Sequence, residues 1–98
     1  ASENSEFGQP EIDRGFMPGW GGTQRLPRRV GLSQAKRLIL TGERISAREA
    51  ERIGLADVVV PMDKLEETTL EFAKRLANKA PLAIKRIKLV MNKGTDTN

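Results

Sequence analysis

Near neutral pH, proton transfer in this sequence falls to carboxylates and lysines, because its 98 residues include neither histidine nor cysteine. A Ser-His triad, a histidine base, the usual zinc site, a thiolate nucleophile and a disulfide are thereby excluded. One segment offers a carboxylate in a shaped setting. In Phe7-Gly-Gln-Pro-Glu-Ile12, Glu11 follows a proline that fixes the approach of the backbone, with Ile12 and Phe7 near it. A carboxyl held against apolar walls has its charged form disfavoured, which suits it to general acid or base work. From spacing alone, an ordinary surface carboxylate at a strand end explains Glu11 better.

Two further clusters stand out. In Met17-Pro-Gly-Trp-Gly-Gly-Thr-Gln-Arg-Leu26, successive glycines let the backbone come close to a ligand. The Gly-Gly-Thr step into a helix would present free N–H groups and the positive dipole end to something electron-rich. Neither G-x-x-x-x-G-K-[ST] nor G-x-G-x-x-G is present, so this is no Walker loop or dinucleotide fingerprint. Taken alone, the segment is better explained as a tight turn with a cap at Thr23. The stretch from Leu40 to Leu55 is fully accounted for by helix capping and is assigned to structure.

The elements that must position these groups begin irregularly. Gly8, Pro10, Gly15, Pro18, Gly19, Gly21, Gly22, Pro27 and Gly31 interrupt every periodicity in the first thirty or so residues, which read as shaped loop. Phe7, Ile12, Phe16, Met17 and Trp20 sit among them and need burial partners. Ser33 caps a helix with Ala35, Leu38 and Ile39 on one face, and Gly42 ends it. Ser46-Ala-Arg-Glu49 is a capping box that opens a short helix closed by Gly54, and Asp57–Val60 reads as a brief strand stopped by Pro61. Asp63-Lys-Leu-Glu66 opens the longest helix, with acids early and bases late, and Pro81 starts another whose apolar stripe runs to Gly94. The sum is about four helices after a glycine-rich lead, with one short strand.

Composition sets the outer bounds. This length allows a single small core at most, and aromatic anchors are scarce, with one Trp, three Phe and no Tyr. The start has neither the basic residues nor the apolar stretch of a signal peptide, so a soluble, cytoplasmic protein is expected. The net charge of +4 is uneven. No acid lies between Asp13 and Glu43, where Arg14, Arg25, Arg28, Arg29, Lys36 and Arg37 fall, and Lys85, Arg86, Lys88 and Lys93 form a second basic zone. Such zones suit a phosphorylated cofactor, an acidic subunit face or nucleic acid. Nucleic acid ranks last, because aromatic residues for base stacking are few and no binding motif is present.

Taken together and in order, ASENSEFGQPEI, PGWGGTQRL, LTGERISAREA and GLADVVVP resemble the enoyl-CoA hydratase/isomerase (crotonase) superfamily over essentially the whole chain. The resemblance implies an α/β crotonase-like (ββα spiral) fold of which only the C-terminal part is present, the chain being an internal to C-terminal segment. Residues 1–32 would end the spiral core with the Gln-Pro-Glu and glycine-rich pocket loop, and residues 33–98 would form a helical region associated with oligomerisation.

The implied activity is lyase chemistry on acyl-CoA thioesters in fatty acid degradation: water is added to a trans-2-enoyl-CoA while two backbone N–H groups stabilise the thioester oxygen as an enolate. Glu11 matches one of two glutamates that hold the water. Pro18, Gly19, Trp20 and Gly21 would line the pocket near the acyl chain, with Trp20 shaping acyl length. No metal and no separate cofactor are implied, since coenzyme A is part of the substrate. The full-length protein would be a trimer or hexamer. The second glutamate and both oxyanion donors would lie upstream of Ala1, so the 98 residues alone should be inactive, and apolar surface on Phe7, Ile12, Phe16 and Trp20 should drive association. An enoyl-CoA isomerase segment and a non-catalytic oligomerisation module are the alternatives.

Overall fold

The computed structural model describes residues 1–96, with side chains through Gly94. Contacts divide the chain into two units, residues 1–65 and the residues from Glu66 onward, whereas the change of character in the sequence falls at 32/33.

The first unit is held by a two-stranded antiparallel sheet that the sequence reading missed. β1 (Glu6–Gly8) pairs with β2 (Arg44–Ser46) so that Phe7 lies opposite Ile45. Both strands are cut short by chemistry that starts something else. After β1, Pro10 supplies the preset φ of a 3-10 turn over Pro10–Arg14, which Gly15 ends at φ 73. After β2, the Ser46 hydroxyl accepts a hydrogen bond from the Glu49 N–H at 3.1 Å and caps α1, the helix Ala47–Arg52. The Ser46 half of the capping box is therefore formed, while the Glu49 carboxylate is taken up by Arg37 and Arg52, and Ile53, not Gly54, is the C-terminal cap residue. The expected strand Asp57–Val60 reduces to a single parallel bridge between Ser2 and Val60. The first residues run alongside it, with the Ala1 amine on the Val58 carbonyl at 2.8 Å and Val60 bonded to both Ala1 and Glu3, but the pairing is too short to make a strand.

Two helices that precede α1 in sequence close the core, and they are labelled αA (Gly22–Val30) and αB (Leu32–Thr41). αA corrects the reading of this stretch as loop. Pro27 sits inside the helix and removes one N–H, yet the burial of Leu26 holds the element in place. Gly21, not Thr23, is its N-terminal cap residue, and Thr23 is the second helical residue. Likewise Gly31, not Ser33, precedes αB, while Gly42 ends αB in the left-handed conformation as expected, its N–H bonded to the Leu38 carbonyl at 3.0 Å. Leu26, Ala35, Leu38, Ile45 and Ala50 form the buried cluster, flanked by half-buried Phe7, Val30, Ile39, Ile53, Leu55 and Ala56. Phe7, expected to be exposed, is thus packed, because its strand partner Ile45 belongs to the core.

The second unit contains most of α2 (Leu65–Ala77) and α3 (Pro81–Asp96). Pro81 opens α3 as read, but α3 continues past Gly94 and, at 16 residues, is longer than α2 at 13. The Asp63 capping box does not form. Pro61 instead leads into a 3-10 turn, Met62–Lys64, which runs directly into α2 with no side-chain cap. Glu66 and Glu67 in the first turn of α2 and Lys74 and Arg75 in its last match the helix dipole. Among its described side chains none is buried.

Part of the basic excess is neutralised inside the first unit. Arg29 pairs with Asp57 at 2.7 Å, and Arg37 reaches both Glu43 at 2.8 Å and Glu49 at 3.3 Å. Glu49 also receives the Arg52 guanidinium, with Nε at 2.7 Å from Oε2. The hydrogen bond from Arg52, reinforced by Arg37 against the opposing effect of partial burial, lowers the Glu49 carboxyl from 4.5 to about 2. A carboxyl depressed in the folded state contributes stability that is complete above its ordinary value and vanishes as pH falls toward the folded one. Glu49→Gln should therefore lower the urea midpoint at pH 7, and the difference from wild type should shrink between pH 4.5 and about 2, as followed by circular dichroism in urea titrations at stepped pH.

Candidate functional site

The site begins at the 3-10 turn. With Pro10 at its first position and Gly15 as a left-handed exit, the turn closes through the Phe16 N–H on the Glu11 carbonyl and the Gly15 N–H on the Ile12 carbonyl, each at 3.0 Å. Its far side rests on the end of αB. A Cβ on Gly42 would lie 2.9 Å from Ile12 Cγ2 and 3.2 Å from both Asp13 carboxylate oxygens, and Gly42 has φ +66. Only glycine satisfies both the conformation and the approach. Ile12 is anchored here although two-fifths of its surface stays exposed.

Glu11 itself is half-buried, and its Oε2 is fully buried without a hydrogen-bond partner among the described residues. A buried carboxylate oxygen left without a donor is costly unless a ligand supplies one.

The second side of the site is the glycine loop. The Gly22 N–H donates to the Gly19 carbonyl at 3.1 Å, with Trp20 at φ 54 and Gly21 at φ 83, so both central residues of the turn are left-handed, as in a type I′ turn. The Gly21 carbonyl then accepts from Gln24 N at 3.0 Å and Arg25 N at 2.7 Å, which ties the turn to αA. Pro18 is buried beneath it. A Cβ on Gly22 would meet Pro18 Cβ at 2.9 Å and Gln9 Nε2 at 3.2 Å, so the bare backbone at Gly22 is what lets the loop close over the Gln9 amide.

Between these walls lies an open concavity of about 800 Å³, within the range of small-molecule sites. Glu11, Gly19 and Trp20 line it, Pro18 lies under the loop, and Gly21 is not among the lining residues. The sequence reading missed Gln9, Gly22, Leu55 and, along αA, Arg25, Leu26 and Arg29. Arg25 and Arg29 are four residues apart on one helix face. That signal is legible only once Gly22–Val30 is recognised as a helix. Glu11 is the one carboxylate lining the concavity among the described residues, and Arg25, Arg29 and the apolar Leu26 and Leu55 line it too. No cluster of three metal-ligating side chains occurs among the described residues. The arrangement can therefore perform one-carboxylate proton transfer beside an apolar surface.

The backbone is crotonase-like. It superposes with TM-score 0.97 on the solved enoyl-CoA hydratase from Bacillus anthracis, 43% identical, covering 100% of this chain and 38% of that one. The family model described as enoyl-CoA hydratase/isomerase matches residues 1–98, and the chain belongs to that family. Curated relatives include a short-chain-enoyl-CoA hydratase of Clostridium acetobutylicum, 49% identical over 96% of this chain and 36% of the relative. A crotonyl-CoA hydratase of Syntrophomonas wolfei is 45% identical over 100% of this chain and 38% of its own length. The chain thus spans a little over a third of these relatives. The expected placement as an internal to C-terminal segment, with only the C-terminal part of the fold present, gives way to this measure of extent: residues 1–98 match, and the matches do not support that placement.

The docking of the Glu11 turn on αB is testable. Gly42→Ala should destabilise the protein by about 1–2 kcal/mol or more, from left-handed strain alone, before the contact with Ile12 is counted. Urea unfolding should show a lower midpoint at unchanged m-value.

Proposed function

We propose that the polypeptide carrying this chain hydrates trans-2-enoyl-CoA thioesters in acyl-CoA degradation, with Glu11 as a general acid and base. The observation that carries the reading is the Glu11 carboxylate, with a buried, unpartnered Oε2, on a concavity whose floor is apolar. A water held by Glu11 gives up one proton to a carboxylate as its oxygen bonds to the β carbon, and a proton is delivered to the α carbon, so that both hydrogens and the oxygen of water end in the 3-hydroxyacyl product. Coenzyme A enters as part of the substrate, and no further cofactor takes part in this scheme. Gly19 and Trp20, with Pro18 and Gly21 holding the turn, form the acyl side of the pocket.

A second carboxylate and two N–H donors for the enolate oxygen also belong to the scheme, and we infer that they come from elsewhere in the polypeptide. Glu11 is alone among the described residues lining the concavity as an acid, and the match to the relatives covers 36–38% of their length. An oxyanion donor is worth about 10²–10³ in rate, so the 98-residue chain by itself should show no measurable turnover. We further infer a trimer or hexamer for the whole protein. Support comes from Leu70, Phe72, Leu76, Ile87 and Val90 of α2 and α3, all exposed here. A cytoplasmic location belongs to the same proposal; no helix among the described residues is long and apolar enough to cross a membrane.

In the full-length polypeptide, Glu11→Gln should lower kcat for hydration of crotonyl-CoA by about 10²–10⁴ with little change in KM. The assay is loss of the conjugated thioester absorbance. Wild-type protein that leaves crotonyl-CoA unchanged but shifts the double bond of a 3-enoyl-CoA would replace hydratase by isomerase. An unaltered kcat in the variant would remove Glu11 from the chemistry.

A further inference from the structure

We propose that the Arg25 guanidinium is the anion anchor of the concavity, taking a carboxylate or phosphate group that the ligand carries away from its reacting carbons. The inference rests on the acyl-thioester reading above and adds to it a group that the hydration step does not use.

Charge balance singles Arg25 out. Three ionic side chains line the concavity: Glu11, Arg25 and Arg29. Arg29 is matched by Asp57, with Nη2 at 2.7 Å from Oδ1. Arg25 takes part in none of the ion pairs among the described residues, so Glu11 is not its partner either. It is the uncompensated cation of the site. Its planar fork of N–H donors fits two oxygens of one carboxylate or phosphate, and it stays charged at any pH at which the protein is folded.

Arg25 is also held in place, although long charged side chains on an exposed helix face usually move freely. Its backbone N–H donates to the Gly21 carbonyl at 2.7 Å, and its side chain folds back over the same residue. A Cβ on Gly21 would stand 3.2 Å from Arg25 Nε, 3.4 Å from Cζ and 3.6 Å from Cδ, so the bare glycine is what lets the guanidinium lie down on the turn. A charge placed in this way loses less freedom when an anion arrives. The other lining groups orient the ligand. Glu11 repels a second negative charge and Leu26 and Leu55 are apolar, so an anionic group goes to Arg25 while neutral reacting carbons go to Glu11. Within the thioester class such oxygens come from a carboxylate ending a diacid acyl tail or from the phosphates of coenzyme A.

The test uses the full-length polypeptide carrying this chain, as wild type, Arg25→Gln and Arg25→Lys, and reads Kd by calorimetry for adipyl-CoA, hexanoyl-CoA and hexanoyl-pantetheine. All three are saturated and cannot be hydrated, and the last has no phosphate. If the tail carboxylate is the anion, Arg25→Gln should weaken adipyl-CoA by about 10–100-fold and hexanoyl-CoA by less than about threefold. If it is a phosphate, both coenzyme A thioesters should weaken by that larger factor and hexanoyl-pantetheine by less than about threefold. In either case Arg25→Lys, which keeps the charge without the fork, should restore part of the loss.

An equal change for all three thioesters would make Arg25 a structural residue and overturn the proposal. No change for any of them would overturn it as well. A lower urea midpoint for Arg25→Gln without a difference among the ligands would show the guanidinium paired inside the polypeptide, with the same consequence. Failure of wild type to hydrate crotonyl-CoA would strike the hydratase reading alone, because the calorimetry needs no turnover.

Discussion

A carbon at the Cβ position of Gly42 would stand 2.9 Å from Ile12 Cγ2 and 3.2 Å from the Asp13 carboxylate, so the turn that carries Glu11 closes on αB only over a residue with no side chain. The rest of the first unit follows from that contact. αB ends at Gly42 because its left-handed φ of 66 reverses the chain. The reversal brings Arg44–Ser46 back alongside Glu6–Gly8, and the pairing of Phe7 with Ile45 then fixes the segment immediately before Pro10. Glu11 is held from both ends, by a strand on one side and by a helix cap on the other. The turn that carries it is therefore set by contacts distant in sequence.

What was legible in the sequence were features whose causes are local. Ser46 caps the Glu49 N–H, Gly42 takes the left-handed cap, and Pro81 begins α3, each because the relevant groups lie within one helical turn. The sheet was not legible, since β1 and β2 are three residues each and meet only after the whole of αA and αB has intervened. αA was hidden by Gly21, Gly22, Pro27 and Gly31, which punctuate it as they would a loop, and only the burial of Leu26 decides otherwise. The Asp63 pattern failed for the opposite reason: a capping sequence was present, but the chain leaves Pro61 as a 3-10 turn and enters α2 without a reversal to cap.

The same division applies to the site. Glu11, Gly19 and Trp20 were readable as a carboxylate after a proline and a bulky residue among glycines, and the fold sets them around one concavity. Arg25 and Arg29 were readable only as part of a basic zone. Their alignment on αA turns two of those charges toward the site, and the pairing of Arg29 with Asp57 limits the positive field there. Charge counts along the sequence thus overstate the attraction for anions, because Arg29, Arg37 and Arg52 are matched by acids that lie at or beyond Glu43 in the chain.

Family membership and local geometry constrain function from different directions. In the proposed hydration, charge develops on a thioester oxygen, and stabilising that charge requires donors aimed at it before the reaction begins. In that proposal the described residues supply the Glu11 carboxylate and apolar lining residues, and oxyanion stabilisation is a separate task. A carboxylate that exchanges protons with water and carbon gains rate only when the enolate is held elsewhere, and an oxyanion site gains nothing without a proton path. On the proposed reaction, an intact Glu11 turn and a well-formed core would still need oxyanion donors supplied from outside the described site. Positioning of the Glu11 turn rests on groups within residues 1–65, where Gly42, Gly22 and the β1–β2 pair are all found.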